Sequence, residues 1–466
     1  MTQIPHVNFD PDPKSLDEIG NATHDFIKSF LGRRDSAPAS DLDGAHELAR
    51  SLKSSFPEEG TNFDELLSTV AKAAEKSYDT TGPGYLAYIP GGGLYAAAVG
   101  DLLACITNRF VNISAPAPAL VQLESNVTRW LCDLFAFPEG SQGILTSGGS
   151  MANFSAIVTA RDAVMGDHFD DATIYLSDQV HHSITKSAHL AGLPRRALRV
   201  VPTKTDLTMD TVALKNMISQ DRREKCRPLL VVGSAGTVNI GAVDPLDEIA
   251  EIARNERIWF HVDGAYGGFF HMTQRGRPKL DGIESADSIT LDPHKGLFLP
   301  YGTGSLIVRN GDALRNAHRS EAGYLPESST DVDLPDFADY SPELSRDFRG
   351  LRVWLPLRLH GVRAFRDALE EKLDLARKVY EALSSSPSLD VPWEPDLSIV
   401  AFRPSREDNE AADLLLERIN DSRRVFVSGT TIDGRKYVRI CVLSHRTDEN
   451  RIDEAIEIVQ KAAIDL

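Results

Sequence analysis

Residues 244–263, DPLDEIAEIARNERIWFHVD, change their hydrophobic period partway along. Leu246, Ile249, Ala250 and Ala253 recur at helical spacing; Pro245 suits a first helical position and Asp244 the cap before it. From Trp259 to Val262 the pattern becomes a short, nearly continuous apolar run ended by Asp263. A strand buried on both faces needs such a run. The same alternation extends from about Gly143 to Val308, with further strand candidates at Gly143–Thr146, Thr173–Ser177, Leu198–Val201, Leu229–Gly233, Ser288–Leu291 and Ser305–Val308. The expected fold class is α/β, with a mostly parallel sheet covered by helices on both faces.

Upstream, residues 1–80 carry weak apolar stripes (Leu16–Leu31, Phe63–Ala74) that would bury little alone. They read as a helical arm that packs on something else, such as a second subunit. Downstream, residues 320–347 are rich in Asp, Ser, Glu and Pro, and so long a loop in a compact protein is a lid or a linker. A helical pattern over Leu351–Ser384 follows, then a strand (Leu397–Phe402), a helix (Ala411–Ile419), a hairpin turning at Asp433–Gly434 and a closing helix (Glu454–Ala463). The expected organisation is an arm over 1–80, a large domain over 81–350 that includes the 320–347 lid, and a small α+β unit over 351–466.

With 466 residues, 42% hydrophobic and 25% charged, the chain can bury a large core. Its 68 acidic and 50 basic residues leave a net charge of −18, which argues against nucleic acid or an anionic membrane as a partner. Cys105, Cys132, Cys226 and Cys441 are far apart and lack metal-ligand spacing, so neither a metal site nor a disulfide framework is expected, and a reducing, cytoplasmic compartment is. The start, MTQIPHVNFDPDPK, has no signal-peptide pattern, and the most apolar stretch, Leu94–Ile106, is short and contains Asp101.

Three polar signals fall at the C-terminal ends of expected parallel strands, where open α/β sheets bind ligands. Thr146-Ser147-Gly148-Gly149-Ser150 precedes a helix, and free N–H groups at such a start hold a phosphate, although a plain strand–helix turn capped by Ser150 has the same sequence. Asp263, in HVDGAYGG, is drawn into the interior, where a carboxylate needs a cation or a donor; an ordinary turn aspartate is the alternative. Lys295, in DPHKG, closes a strand beside apolar Leu297-Phe298-Leu299, an environment that depresses an amine pKa and favours attack on an aldehyde. Together these match what pyridoxal phosphate requires: a glycine-rich phosphate cradle, a carboxylate to keep its ring nitrogen protonated and a lysine to hold its aldehyde.

The segments TSGGSMANFSAI, SDQVHHS, HVDGAYGG and DPHKG resemble, in order and spacing, the group II pyridoxal-phosphate-dependent decarboxylases, which include the aromatic-L-amino-acid decarboxylases. The similarity extends to GPGYLAYIPGGG, APALVQLESNVTRWLCDLF, FRGLRVWLPLRLHGV and YVRICVLS. The resemblance implies the fold-type I aminotransferase-like architecture, with an arm-swapped homodimer whose lid reaches the partner's site. It makes Lys295 the Schiff-base lysine, Asp263 the partner of the ring nitrogen and His181 the imidazole stacked on the ring. Gly149, Ser150 and His294 match phosphate-side positions and Thr237 a position near the ring, while Tyr88, Ile89 and Pro90 match a stretch lining the substrate pocket. The implied reaction is decarboxylation of an aromatic or related L-amino acid to the amine.

Three positions depart from the family pattern. Counting back from Phe348 puts Phe337 where the family has a lid tyrosine that donates a proton, with Tyr340 three residues on. Tyr340 is the expected donor; phenylalanine at that place is associated in the family with oxygen-dependent aldehyde formation instead. Asn112 occupies a usually aromatic substrate-pocket position, and Gly296 replaces a residue that is bulky in animal members. Rival readings are a serine hydrolase using Ser150, Asp263 and His294, which leaves Lys295 without a role, and a dehydrogenase based on Gly91-Gly92-Gly93-Leu94-Tyr95-Ala96, which lacks a ribose-binding acid. A binding protein that has lost activity is the third, and the retained Lys295 and Asp263 argue against it.

Overall fold

A computed structural model describes residues 8–319, 334–406, 408–464 and 466. Its main sheet contains β1 (Gln142–Thr146), β2 (Ala172–Ser177), β3 (Leu198–Val201), β4 (Arg227–Ser234), β5 (Trp259–Gly264), β6 (Ser288–Leu291) and β7 (Gly304–Val308), in the order β1-β7-β6-β5-β4-β2-β3. Strands β2 to β6 pair in parallel with their neighbours in that group, and β7 runs antiparallel to both β1 and β6. The register sets Ser234 beside Asp263 and Gly264 beside Leu291. The C-terminal ends of β4, β5 and β6 therefore open on one edge, next to the residues that precede Lys295.

The helices follow from capping and amphipathic spacing. Helices α1 (Pro13–Gly32), α2 (Ala45–Ser51) and α3 (Phe63–Glu75) form the N-terminal segment and contain no buried residue. Asp12 and Asn62 cap α1 and α3 by accepting from the N–H groups of Ser15 and Asp64. Helices α4 (Tyr95–Thr107) and α5 (Pro118–Leu134) lead into the sheet, and α6 (Gly149–Met165), α7 (Ser183–Leu190), α8 (Thr211–Arg223) and α9 (Leu246–Glu256) connect its strands. A single turn, α10 (Pro293–Gly296), carries Lys295, and α11 (Gly311–His318) follows β7.

Asp244 is not the cap of α9. Pro245 holds that position, and the Asp244 carboxylate turns inward to accept from the N–H groups of Ser234 and Met209, both at 2.8 Å. Burial pushes its pKa up to about 6 despite those bonds. Two otherwise orphaned backbone donors outcompete a helix end for this side chain.

The helical pattern over 351–384 divides into α12 (Arg349–His360) and α13 (Val362–Ser384) at Gly361, whose φ of 75° stops the first helix. The C-terminal sheet, β8 (Leu389–Asp390), β9 (Ile399–Pro404), β10 (Ser428–Ile432) and β11 (Arg435–Cys441), is antiparallel in the order β10-β11-β9-β8. It packs with α13, α14 (Asn409–Asp421) and α15 (Glu449–Ile464) around Val379, Phe402, Leu415 and Val459. The hairpin turns at Asp433 and Gly434, both with positive φ, as its sequence requires. Among the described residues no helix is long and apolar enough to cross a membrane.

Candidate active site

The strand ends and the C-terminal sheet enclose a cavity of about 830 Å³. Lys295, Asp263, His181 and Thr237 line it, as do Gly149, Ser150 and His294. Every residue expected on the cofactor side is thus brought to one place, from segments spread over almost 150 residues of sequence.

Lys295 projects from α10 and keeps 22% of its side-chain surface open to the cavity. Its Nζ lies 2.9 Å from Asp292 Oδ2, a carboxylate that is itself almost wholly buried. The depressed amine pKa expected from apolar neighbours is not found. Burial lowers the Lys295 pKa, but Asp292, assisted by Asp263, outweighs it and the net shift is upward. An ion pair three residues away in sequence, invisible to a hydropathy argument, decides the sign.

Asp263, next to last on β5, is 7% exposed. Its Oδ2 accepts from Asn153 Nδ2 at 3.0 Å and its Oδ1 from the Ala265 N–H at 3.2 Å. His181 follows β2 and lines the same opening; its Nδ1 is 2.7 Å from Ser183 Oγ and 3.2 Å from the Ser183 backbone nitrogen. Burial holds its pKa below the ordinary imidazole value although Asp263 pulls the other way. Thr237 is buried, its hydroxyl accepting from the Ala242 N–H at 3.1 Å.

At the phosphate side, the first N–H groups of α6, those of Gly149 and Ser150, have no acceptor among the described residues. A Cβ on Gly149 would lie 3.0 Å from Asp292 Oδ2 and 3.2 Å from Ala265 Cβ, so glycine keeps this approach open. His294 donates from Nδ1 to the Thr303 carbonyl at 2.7 Å, and burial lowers its pKa. No hydrogen bond joins Ser150, Asp263 and His294: Asp263 is held by Asn153 and Ala265, and His294 by Thr303. The hydrolase triad is not assembled.

The substrate side brings corrections. Tyr88 and Ile89 line the cavity, whereas Pro90 is buried behind them and Asn112 lies elsewhere. The Asn112 side chain is fully buried and its amide donates to the Leu344 carbonyl, while the Asn112 backbone carbonyl accepts from the Ala338 N–H at 2.9 Å. It ties down the 336–344 segment instead of facing the cavity of its own chain. Phe337, 1% exposed, sits in the core beneath the Arg346 guanidinium, and Tyr340 packs partly buried beside it. Neither lines this chain's cavity, because an apolar ring on a short helical turn gains more from the adjacent core. Residues 320–333 of the expected lid lie outside the described residues. Gly296 has a local reason: a Cβ there would come within 2.6 Å of Phe269 Cβ, so the buried Phe269 ring occupies the space a larger residue would need.

Arg439 on β11 was not singled out from the sequence. It is 4% exposed, lines the cavity, and donates to the Tyr88 carbonyl at 3.1 Å and Ser428 Oγ at 3.4 Å, with Nε unpartnered. Among the described residues no carboxylate pairs with it. An arginine flanked directly by apolar Val438 and Ile440 was the available signal. Tyr88, held at φ 52°, donates its N–H to the same Ser428 Oγ at 3.1 Å, so the C-terminal sheet fixes this wall.

The residues present fit pyridoxal phosphate. Orphaned N–H groups at a glycine-opened helix start suit its phosphate, Asp263 retains acceptor sites beyond its two bonds for a ring N–H, and the Lys295 amine faces the same space. The arrangement is that of a fold-type I pyridoxal-phosphate enzyme. The conserved domain of pyridoxal-dependent decarboxylases matches residues 45–405, and the chain belongs to that family of amino-acid carboxy-lyases. It is 33% identical to the aromatic-L-amino-acid decarboxylase of Bacillus atrophaeus over 96% of this chain and 95% of that one. It is 27% identical to a phenylacetaldehyde synthase of Arabidopsis thaliana, with 97% and 96% covered. The structure superposes on that of Oryza sativa TDC with PLP and tryptamine with a TM-score of 0.92 at 25% identity, over 98% of this chain and 99% of that one.

Proposed function

We propose that the enzyme decarboxylates an aromatic L-amino acid to its amine, with Lys295, Asp263 and His181 as the residues that hold and tune the cofactor. When bound, pyridoxal phosphate supplies an electron-accepting ring for the pair released as the Cα–carboxylate bond breaks. Lys295 is the amine for its aldehyde, Asp263 the acceptor that favours a protonated ring nitrogen, and His181 the flat neighbour that fixes the ring plane. Gly149, Ser150 and His294 serve the phosphate end and Thr237 the ring edge. Arg439 is the observation that carries the substrate reading. A buried guanidinium without an acid is costly, and a substrate carboxylate relieves it. Tyr85, Tyr88, Ile89, Val238 and Tyr301 offer an aromatic side chain a largely apolar surround.

The homodimer and its cytoplasmic setting belong to the same proposal. The N-terminal helices bury nothing in the single chain, and Phe9, Phe56, Leu66 and Val70 stand exposed there, as do Leu102, Leu103 and Ile106 on α4. A partner subunit covering these faces accounts for them. All four cysteines are unpaired, in keeping with a reducing compartment. Because Tyr340 and Phe337 do not reach their own chain's cavity, any role of either in proton delivery is exerted on the partner's.

Phe337 supports a second reading, aldehyde formation, since it stands in place of a proton-donating tyrosine. The deciding experiment supplies the purified enzyme with pyridoxal phosphate and a panel of L-amino acids and follows CO₂, amine, ammonia and peroxide. CO₂ with amine from Trp, Tyr or Phe is the expected result. Ammonia and peroxide accompanying CO₂ would establish the aldehyde reading, and turnover of glutamate alone would reject the aromatic one.

A further inference from the structure

Behind the cavity runs a chain of polar side chains sealed in the core. Trp259 Nε1 donates to Ser288 Oγ at 2.8 Å, Ser288 Oγ is 2.8 Å from His261 Nδ1, and His261 Nε2 is 3.0 Å from Asn153 Oδ1. Asn153 Nδ2 then reaches both Asp263 Oδ2, at 3.0 Å, and Ser183 Oγ, at 2.9 Å. Asn153, His261, Ser288 and Ser183 are each no more than 2% exposed.

The direction of every bond follows from its two ends. An ionised carboxylate only accepts, so the Asn153 atom facing Asp263 is the NH₂ group and Oδ1 faces His261. His261 must then carry its proton on Nε2. Burial holds its pKa down to about 4, so the ring is neutral and Nδ1 is bare. Ser288 accepts from Trp259 and donates to that Nδ1. On the other branch Ser183 accepts from Asn153 and donates, with its own N–H, to His181 Nδ1, leaving the His181 proton on Nε2.

We propose that Asn153 is a positioning residue whose single amide, oriented by the Trp259–Ser288–His261 relay, holds Asp263 as an acceptor and links it to His181. Asn153 lies four residues after Gly149, one turn along α6, so the helix that opens the phosphate cradle also sets the acid. The inference rests on Asp263 serving the cofactor ring, but the relay itself is a property of the protein alone.

Two variants separate positioning from packing. Asn153→Asp is nearly isosteric but replaces the donor with a second carboxylate facing Asp263; Asn153→Ala only removes it. Positioning predicts that Asn153→Ala weakens pyridoxal-phosphate affinity about tenfold and lowers kcat more than it raises KM. Asn153→Asp is then worse by at least about another tenfold, because like charges at that distance repel. A packing role predicts the reverse order, with the isostere milder, and that order overturns the proposal. Independently, ¹⁵N-histidine spectra of the wild-type holoenzyme and of the cofactor-free protein should show His261 neutral and protonated on Nε2 in both. A proton on Nδ1 overturns the relay, even if cofactor labelling at Lys295 succeeds.

Discussion

Replacing Arg439 with methionine should uncouple recognition from stability. Arg439 is buried, has no carboxylate partner among the described residues and makes two hydrogen bonds to neutral groups, at 3.1 and 3.4 Å. Removing the charge relieves a desolvation cost of several kcal/mol. Losing the two charged hydrogen bonds costs roughly 1.5–3 kcal/mol each. The opposing contributions nearly cancel, so the denaturation free energy should change by less than about 2 kcal/mol. Substrate recognition has no such offset: losing a buried ion pair with a carboxylate costs about 3–4 kcal/mol, or roughly 10²–10³-fold in kcat/KM. The assay compares kcat/KM for the preferred L-amino acid with inhibition by its amine product, which has no carboxylate. Amine affinity should move by less than about threefold, and Arg439→Lys should recover part of the loss. If amine and amino acid weaken together, or kcat/KM stays within threefold of wild type, Arg439 is a structural residue and the reasoning fails.

Other consequences follow from the same geometry. Asp263→Ala should retain some bound cofactor yet lose most of the rate, about 10²–10⁴-fold; equal kcat in single-turnover assays contradicts its role. Burial drives the pKa of His261 and His271 to about 4 and that of His445 to about 3. The unfolded chain then binds more protons as pH falls below 6.5, so the stability these groups contribute is complete above 6.5 and lost as pH drops towards 4, by about 3 kcal/mol for His261 alone. Asp244, raised to about 6, runs oppositely, its contribution being lost as pH rises from 3.8 through 6. The three histidines outweigh it, and urea titrations should show a net loss between pH 6.5 and 4; a flat profile rejects this balance. Gly296→Val, forced against Phe269, should cost about 1–3 kcal/mol in the same titrations, and an unchanged midpoint shows that the ring can move aside.

The strands of the main sheet were legible because each is a short apolar run bounded by a change of period, and Leu198–Val201 and Ser288–Leu291 match residue for residue. Lys295, Asp263 and the Gly149–Ser150 turn were legible because strand ends in such sheets are where ligands bind. Electrostatics between side chains was not: Asp292 reverses the expected shift of Lys295, and Asp244 prefers buried N–H groups to a helix cap. Asn153 reads as one polar residue in a helix until the fold sets it against Asp263, 110 positions away. Counting back from Phe348 assigns Phe337 and Tyr340 to the lid, and family resemblance assigns Asn112 to the substrate pocket. In three dimensions they pack on one another's segment, through Asn112 and Leu344 and through Phe337 and the core. Helix α2 is too short for a periodicity to register.

The most direct test of the central claim is borohydride reduction of the enzyme loaded with pyridoxal phosphate, followed by peptide mass mapping. The visible band should vanish on reduction and the pyridoxyl group should appear on the peptide carrying Lys295, with Lys295→Ala showing neither. A label on another lysine, or none, would contradict the account of this cavity.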